Sequence, residues 1–172
     1  VPEQEKPDGN FPTVDYPNPE DIKAFKLALD LAKQKDADLV LANDPDADRI
    51  GVHVKDQKTG EYILFNGNMI GLMTAEYLIS QKREKGLLPE NPALIKTIVS
   101  SNMTDRICEV NGVALYEVLT GFKNIAGKIR EFEDANSHKC IMGYEESYGC
   151  LVGTHARDKD AVVASLMIAE MA

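Results

Sequence analysis

Ala37-Asp38-Leu39-Val40-Leu41-Ala42 runs straight into Asn43-Asp44-Pro45-Asp46-Ala47-Asp48-Arg49, and the chain leaves through Ile50-Gly51-Val52-His53-Val54. The first run is short and apolar, the pattern of a buried parallel strand. The last alternates and reads as a second strand. Lys55-Asp56-Gln57-Lys58-Thr59-Gly60 has turn chemistry, so Tyr62-Ile63-Leu64-Phe65 is expected to pair back as a hairpin. Between the first two strands sits a loop of carboxylates. In open α/β sheets, ligands bind outside the carboxyl ends of strands, so this loop marks a candidate site by position alone.

Upstream, five of the eight prolines fall within the first twenty residues, which predicts an extended segment. A helix is expected from Pro19-Glu20-Asp21, carrying Ile22, Phe25, Leu27, Leu29 and Ala32. Downstream, a second unit opens near Asn66-Gly67-Asn68 with a helix bearing Met69, Ile70, Met73, Tyr77 and Leu78. A β-branched run at 94–99, a short helix with Ile107 and Val110, and a strand at 113–119 follow. Ile125, Ile129 and Phe132 mark a further helix, and Lys139-Cys140-Ile141-Met142 a further strand. Helix and strand alternate throughout. The predicted class is α/β, as two consecutive units (1–65 and 66–172) with largely parallel mixed sheets.

Composition narrows the function classes. Among 172 residues, 28 are acidic and 19 basic, for a net charge of −9. With no basic patch to override that charge, a nucleic-acid partner is disfavoured. No run of about 18 uncharged apolar residues occurs, so no membrane span is expected. The three cysteines, Cys108, Cys140 and Cys150, form no C-x-x-C pair, which fits a reducing cytoplasm and buried structural thiols. The chain opens on Val1 and closes in a helical pattern without a stop signal. Both ends read as those of a piece from something longer, truncated in its last helix.

The strongest chemical signal is Asp44-x-Asp46-x-Asp48. Three carboxylates this close repel one another by roughly 1–4 kcal/mol per pair, and a hard divalent cation relieves that repulsion. A solvated acidic turn is the plain alternative. An EF-hand loop fails on two positions, where Arg49 and Lys55 stand in place of the required Gly and Glu. Arg49 beside a metal would suit a bridging phosphate. After the other strands come Ser100-Ser101-Asn102, Thr120-Gly121-Phe122-Lys123 and Gly143-Tyr144-Glu145-Glu146-Ser147-Tyr148-Gly149. The last could bind sugar hydroxyls or be an acidic surface loop. His155-Ala156-Arg157-Asp158-Lys159-Asp160 reads as an anion site, or as a solvated loop with Asp158 or Asp160 capping the final helix.

Together these motifs resemble the α-D-phosphohexomutase family of phosphoglucomutases and phosphomannomutases. Phe11-Pro12-Thr13-Val14 with Pro17-Asn18-Pro19-Glu20, the D-P-D-A-D-R loop at 44–49, T-G-F-K at 120–123, G-Y-E-E-S-Y-G at 143–149 and R-D-K-D at 157–160 occur in the family's order. The resemblance implies a four-domain enzyme with a central cleft, of which this chain holds the later second domain and most of the third. The family's phosphoserine loop (T-A-S-H-N-P) and its R-x-S-G-T-E-P phosphate loop are absent from these residues. The first and fourth domains would then lie elsewhere in the same polypeptide.

By the same resemblance, Asp44, Asp46 and Asp48 would hold Mg²⁺ together with a phosphate oxygen on the missing serine. Arg49 would contact the transferring phosphoryl group. Glu145 and Ser147 would bind sugar hydroxyls, with Thr120, Gly121, Lys123 and Arg157 also contacting substrate. Lys159 would face the reacting oxygen or phosphate, as general acid or base. The implied reaction interconverts hexose 1-phosphate and 6-phosphate through a hexose 1,6-bisphosphate. Tyr148 after Glu145-Glu146-Ser147 resembles the phosphoglucomutase subgroup; phosphomannomutase and phosphopentomutase remain alternatives. A non-catalytic metal or sugar-phosphate binding module and a calcium sensor are the readings from other classes.

Overall fold

The connection between the first two strands contains only six residues, and that length dictates the first sheet. The computed structural model describes residues 1–172. A parallel crossover needs a dozen residues or more, so β1 (Leu39–Asn43) and β2 (Ile50–Lys55) pair antiparallel, with Asn43 opposite Ile50. β3 (Tyr62–Phe65) adds antiparallel to β2, completing a three-stranded sheet. The parallel, buried strand expected at 37–42 is corrected accordingly: β1 is an edge strand, and only Val40 in it is buried.

The expected first helix is shorter than its sequence pattern. Pro17 and Pro19 keep the chain non-helical, a 3₁₀ turn covers Ile22–Phe25, and α1 spans Lys26–Lys35. Ile22 stays exposed, whereas Phe25 is fully buried against His53 at a ring separation of 4.3 Å.

The second unit meets the expected class. α2 (Gly67–Glu84), β4 (Pro92–Thr97), α3 (Met103–Asn111), β5 (Ala114–Val118), α4 (Phe122–Ala135), β6 (Lys139–Tyr144), β7 (Cys150–Val152) and α5 (Ala161–Met171) follow in turn. The sheet order is β5-β4-β6-β7, parallel across the first three and antiparallel at β7. β7 was not anticipated, because three residues are too few to show periodicity. Ile98 and Val99, expected in β4, are exposed beyond its end.

α2 buries Gly67, Ile70, Gly71, Thr74, Ala75, Leu78 and Ile79, leaving Met69 and Met73 exposed against expectation. Small residues face the sheet because Tyr144 packs there: a Cβ on Gly71 would meet its ring at 2.4 Å. Val110 in α3 is also exposed, while Ile125, Ile129 and Phe132 of α4 are buried as read. Ile50 and Val52 share a core with Ile70, Tyr144, Ala161 and Ile168, so the two sheets are joined through apolar packing.

All three cysteines are buried and free. Burial pushes the Cys108 thiol up to about 11, and Cys140 and Cys150 to about 12. No helix is long and apolar enough to cross a membrane.

Asp160 caps α5, accepting the Val163 N–H at 2.9 Å and pairing with His155 at 2.8 Å. These contacts hold its carboxyl below the ordinary value of 3.8, the Val163 amide contributing most. A depressed carboxyl pKa contributes stability that is present above the unfolded value and lost as pH falls through the folded one. Asp160→Ala is therefore expected to cost about 1 kcal/mol near neutrality, roughly 2–4 °C in Tm. Thermal melts against pH should show that gap closing below pH 3.8.

Candidate functional site

Asp44 shapes the loop that carries it. Its Oδ1 accepts the backbone N–H groups of Asp48 and Arg49, both at 3.0 Å. Its carbonyl accepts the Ala47 N–H at 3.1 Å, with Ala47 in the left-handed region at φ 55°. The turn brings one carboxylate oxygen from each of Asp44, Asp46 and Asp48 within 4.8 Å of the others. Burial raises the Asp44 pKa; the Arg49 amide opposes this, and the Asp48 and Asp46 charges push it higher. Oxygen donors so grouped suit a hard cation such as Mg²⁺ or Ca²⁺. Two antiparallel strands flank the loop, so it is not the helix–loop–helix of an EF-hand.

Two cations face this trio. Lys159 forms an ion pair with Asp48 and lies 3.9 Å from Asp158. Burial acts to lower its pKa, but Asp48, Asp158 and Glu145 outweigh it, leaving the ammonium above the ordinary lysine value. Arg49 places Nε 3.9 Å from Asp44 and 3.8 Å from Asp48, while its Nη1 donates to Glu20 at 3.0 Å. Glu20, the last residue of the Pro17-Asn18-Pro19-Glu20 motif, thereby holds the guanidinium from a distant part of the chain. Across 29 residues no spacing signal could reveal that contact.

Parallel pairing points the carboxyl ends of β4, β5 and β6 to one edge, and the loops after them meet there. Glu145, buried at 8% exposure, accepts the Gly121 N–H at 3.0 Å. Burial raises its pKa, against the pull of that amide and of Lys159. Ser147 sits half-buried at the loop tip; Thr120 and Lys123 are exposed, and Lys123 forms no ion pair. Arg157 stands apart from the group. Both oxygens of Glu133 on α4 take its Nη2 at 2.7 Å, and its Nη1 donates to the Thr154 and Ala156 carbonyls.

Backbone contacts stitch the loops together. Ile50 N–H donates to the Tyr148 carbonyl at 3.0 Å, Arg49 bridges to Gly149, and Ala161 N–H donates to the Ala47 carbonyl at 2.9 Å. Asp44, Asp46, Asp48, Arg49, Lys159, Glu145 and Gly121 thus belong to one connected edge.

Such a fold and edge define an α/β protein that sets a carboxylate trio beside an arginine and a lysine. Residues 66–172 match the family model for phosphoglucomutase/phosphomannomutase α/β/α domain III, and residues 1–59 match the model for domain II. The chain belongs to the phosphoglucomutase/phosphomannomutase family, a family of isomerase-type phosphotransferases. A phosphoglucomutase of Staphylococcus aureus (strain USA300) is 44% identical over 157 residues, covering 91% of this chain. The aligned part spans 27% of that relative's length. A phosphoglucomutase/phosphomannomutase family protein from Burkholderia thailandensis superposes at TM-score 0.68 with 22% identity, covering 93% of this chain and 31% of that one. The N-acetylphosphoglucosamine mutase of Aspergillus fumigatus, solved with GlcNAc-6P and magnesium, superposes at 0.57 with 16% identity, covering 83% and 33%.

Gly67 opens α2 against the tip of the 143–149 loop, where an added Cβ would lie 2.0 Å from the Glu146 carbonyl oxygen and 2.6 Å from the Tyr148 nitrogen. Backbone on both sides cannot swing away. Gly67→Ala is expected to destabilise by about 2 kcal/mol, roughly 4–8 °C, against the gain that helix propensity alone would bring. Thermal unfolding checks the sign; an unchanged or raised Tm would show that helix and loop are not in contact.

Proposed function

We propose that this chain is the metal-binding and sugar-binding part of a phosphoglucomutase that interconverts hexose 1-phosphate and hexose 6-phosphate in the cytoplasm. The observation carrying this reading is the meeting of Asp44, Asp46 and Asp48 with Arg49 and Lys159 beside the Glu145 loop. The Staphylococcus aureus relative is a phosphoglucomutase, and the bound magnesium and sugar phosphate of the Aspergillus protein point the same way.

Asp44, Asp46 and Asp48 would hold Mg²⁺, a role their all-oxygen donor set fits. A divalent ion held there supplies charge neutralisation at phosphoryl oxygens. Arg49 orients the transferring group, with its guanidinium steadied by Glu20. Lys159, paired with Asp48, acts as a cation at the reacting oxygen or phosphate, as general acid or base. Glu145 keeps one oxygen on the Gly121 amide and offers the other to a sugar hydroxyl, with Ser147 alongside. Thr120 and Lys123 are free to meet substrate. Arg157 reaches a phosphate only by exchanging Glu133 for it.

The work is positioning and electrostatics, which is what phosphoryl transfer requires. The phosphoserine and the distal phosphate loop would belong to the first and fourth domains of the same polypeptide, with a hexose 1,6-bisphosphate as the intermediate of the full enzyme. The alternatives in sugar are phosphomannomutase and phosphopentomutase. The alternative in class is a non-catalytic binding module, favoured for these 172 residues alone because no S-H-N-P loop occurs in them.

A coupled assay for glucose 6-phosphate should detect no turnover by the 172-residue chain. Turnover is expected once a serine-bearing first domain and a phosphate-binding fourth domain are joined to it. Preference for mannose or pentose phosphates in that assay would replace the glucose reading.

Metal binding is tested on the chain itself. At about a hundred times its Kd, Mg²⁺ should raise Tm by roughly 5–10 °C. Asp46→Asn should abolish that rise while slightly raising the metal-free Tm, because one repelling charge is gone. A selective response to Ca²⁺ with helix rearrangement would support the sensor reading instead.

A further inference from the structure

Glu146 stands between the two loop residues assigned to the sugar, yet its side chain is committed elsewhere. Its Oε2 accepts the Thr97 hydroxyl at 2.8 Å, and the Thr97 oxygen lies 2.7 Å from the Ser100 hydroxyl. A hydroxyl has one proton and an ionised carboxylate only accepts, so the relay runs from Ser100 to Thr97 to Glu146. Thr97 is fully buried and Ser100 is 4% exposed. Two hydroxyls sealed from water and ending on a carboxylate make a directional, charge-assisted contact.

The donor end of this relay is rigid. Lys96, fully buried one residue earlier on β4, donates to the Ser101 carbonyl at 3.1 Å and to Asn102 Oδ1 at 3.3 Å. Asp105 and Glu117, each 3.0 Å from its Nζ, balance the charge. Ser101 N–H donates to Asn68 at the start of α2 at 2.8 Å. The segment that carries Ser100 is thereby fastened to β4, α3 and α2.

At the other side of the tip, the Tyr148 carbonyl accepts Ile50 N–H at 3.0 Å, with Tyr148 at φ 68°. Glu145 N–H closes the turn on the Gly149 carbonyl at 2.9 Å. Ser147 is therefore the middle residue of a three-residue tip pinned at both shoulders: by the Glu146 side chain on β4, and by the Tyr148 backbone on β2.

We propose that Glu146 is a positioning residue. Locked by the Thr97–Ser100 hydroxyl pair, it sets Glu145 and Ser147 for the sugar hydroxyls without touching the sugar. This inference rests on the reading above that Glu145 and Ser147 hold the sugar.

The test uses the complete, active polypeptide. Thr97→Val keeps the side-chain shape but leaves the Glu146 carboxylate without its donor. KM for glucose 1-phosphate is expected to rise about tenfold, with kcat within about twofold and the Mg²⁺ dependence unchanged. Thr97→Ser should return KM to within about twofold. Glu146→Ala, at a half-exposed position, should match Thr97→Val and decides the matter if the buried variant fails to fold. Wild-type KM in both variants overturns the proposal, as does lowered thermal stability with unchanged KM. A loss of kcat in Glu146→Ala that Thr97→Val does not share would make Glu146 a direct contact and overturn it too. Absence of turnover in the unsubstituted polypeptide overturns the underlying functional reading instead.

Discussion

Three like charges are held where their mutual repulsion is strongest, and the rest of the site is arranged around tolerating them. Asp44, Asp46 and Asp48 converge to within 4.8 Å because the Asp44 carboxylate is spent on two backbone amides that fold the loop. Lys159 pairs with Asp48, and Arg49 leans on both Asp44 and Asp48. The two amide contacts on Asp44 fix its carboxylate within the loop, while Asp46 stays exposed to water. A divalent cation is the ligand that the proposed function sets against this repulsion.

Chain connectivity brings the remaining chemistry to this point. A hairpin too short to cross over places the acidic loop at the end of β1, and parallel pairing of β4, β5 and β6 gathers three more loops at one edge. The two units then meet through main chain, at Ile50 with Tyr148 and at Ala47 with Ala161. Glycine makes that meeting close, since Gly67 and Gly149 stand where a side chain would strike the Glu146 backbone or Lys159. Lys159 reaches Asp48 because the loop that ends at the α5 cap passes beside β7 and the acidic turn.

Much of this was legible from residue order. The acidic loop, the helix with Ile125, Ile129 and Phe132, the Asp160 cap option and the α/β alternation all follow from local pattern, because each depends on neighbours a few positions away. What escaped depends on distance along the chain. Glu20 meets Arg49 across 29 residues, Thr97 meets Glu146 across 49, and Arg157 meets Glu133 across 24. Two misses had local signals. Six residues between strands already exclude a parallel crossover, and Lys96 in an apolar run had to find counter-charges, which are the exposed carboxylates of Asp105 and Glu117. On α2 the expected face holds at Ile70 and Leu78 but not at Met69 and Met73, since the Tyr144 ring needs the empty space at Gly71.

The proposed function requires Asp44, Asp46 and Asp48 to share one divalent ion. A crystal of the protein grown with Mn²⁺ and measured at the manganese absorption edge addresses it directly. A single strong anomalous peak is expected, bounded by one oxygen from each of the three aspartates, near 2.1–2.3 Å as is usual for such hard cations. No peak there at saturating metal, with the three side chains turned apart into solvent, would contradict it.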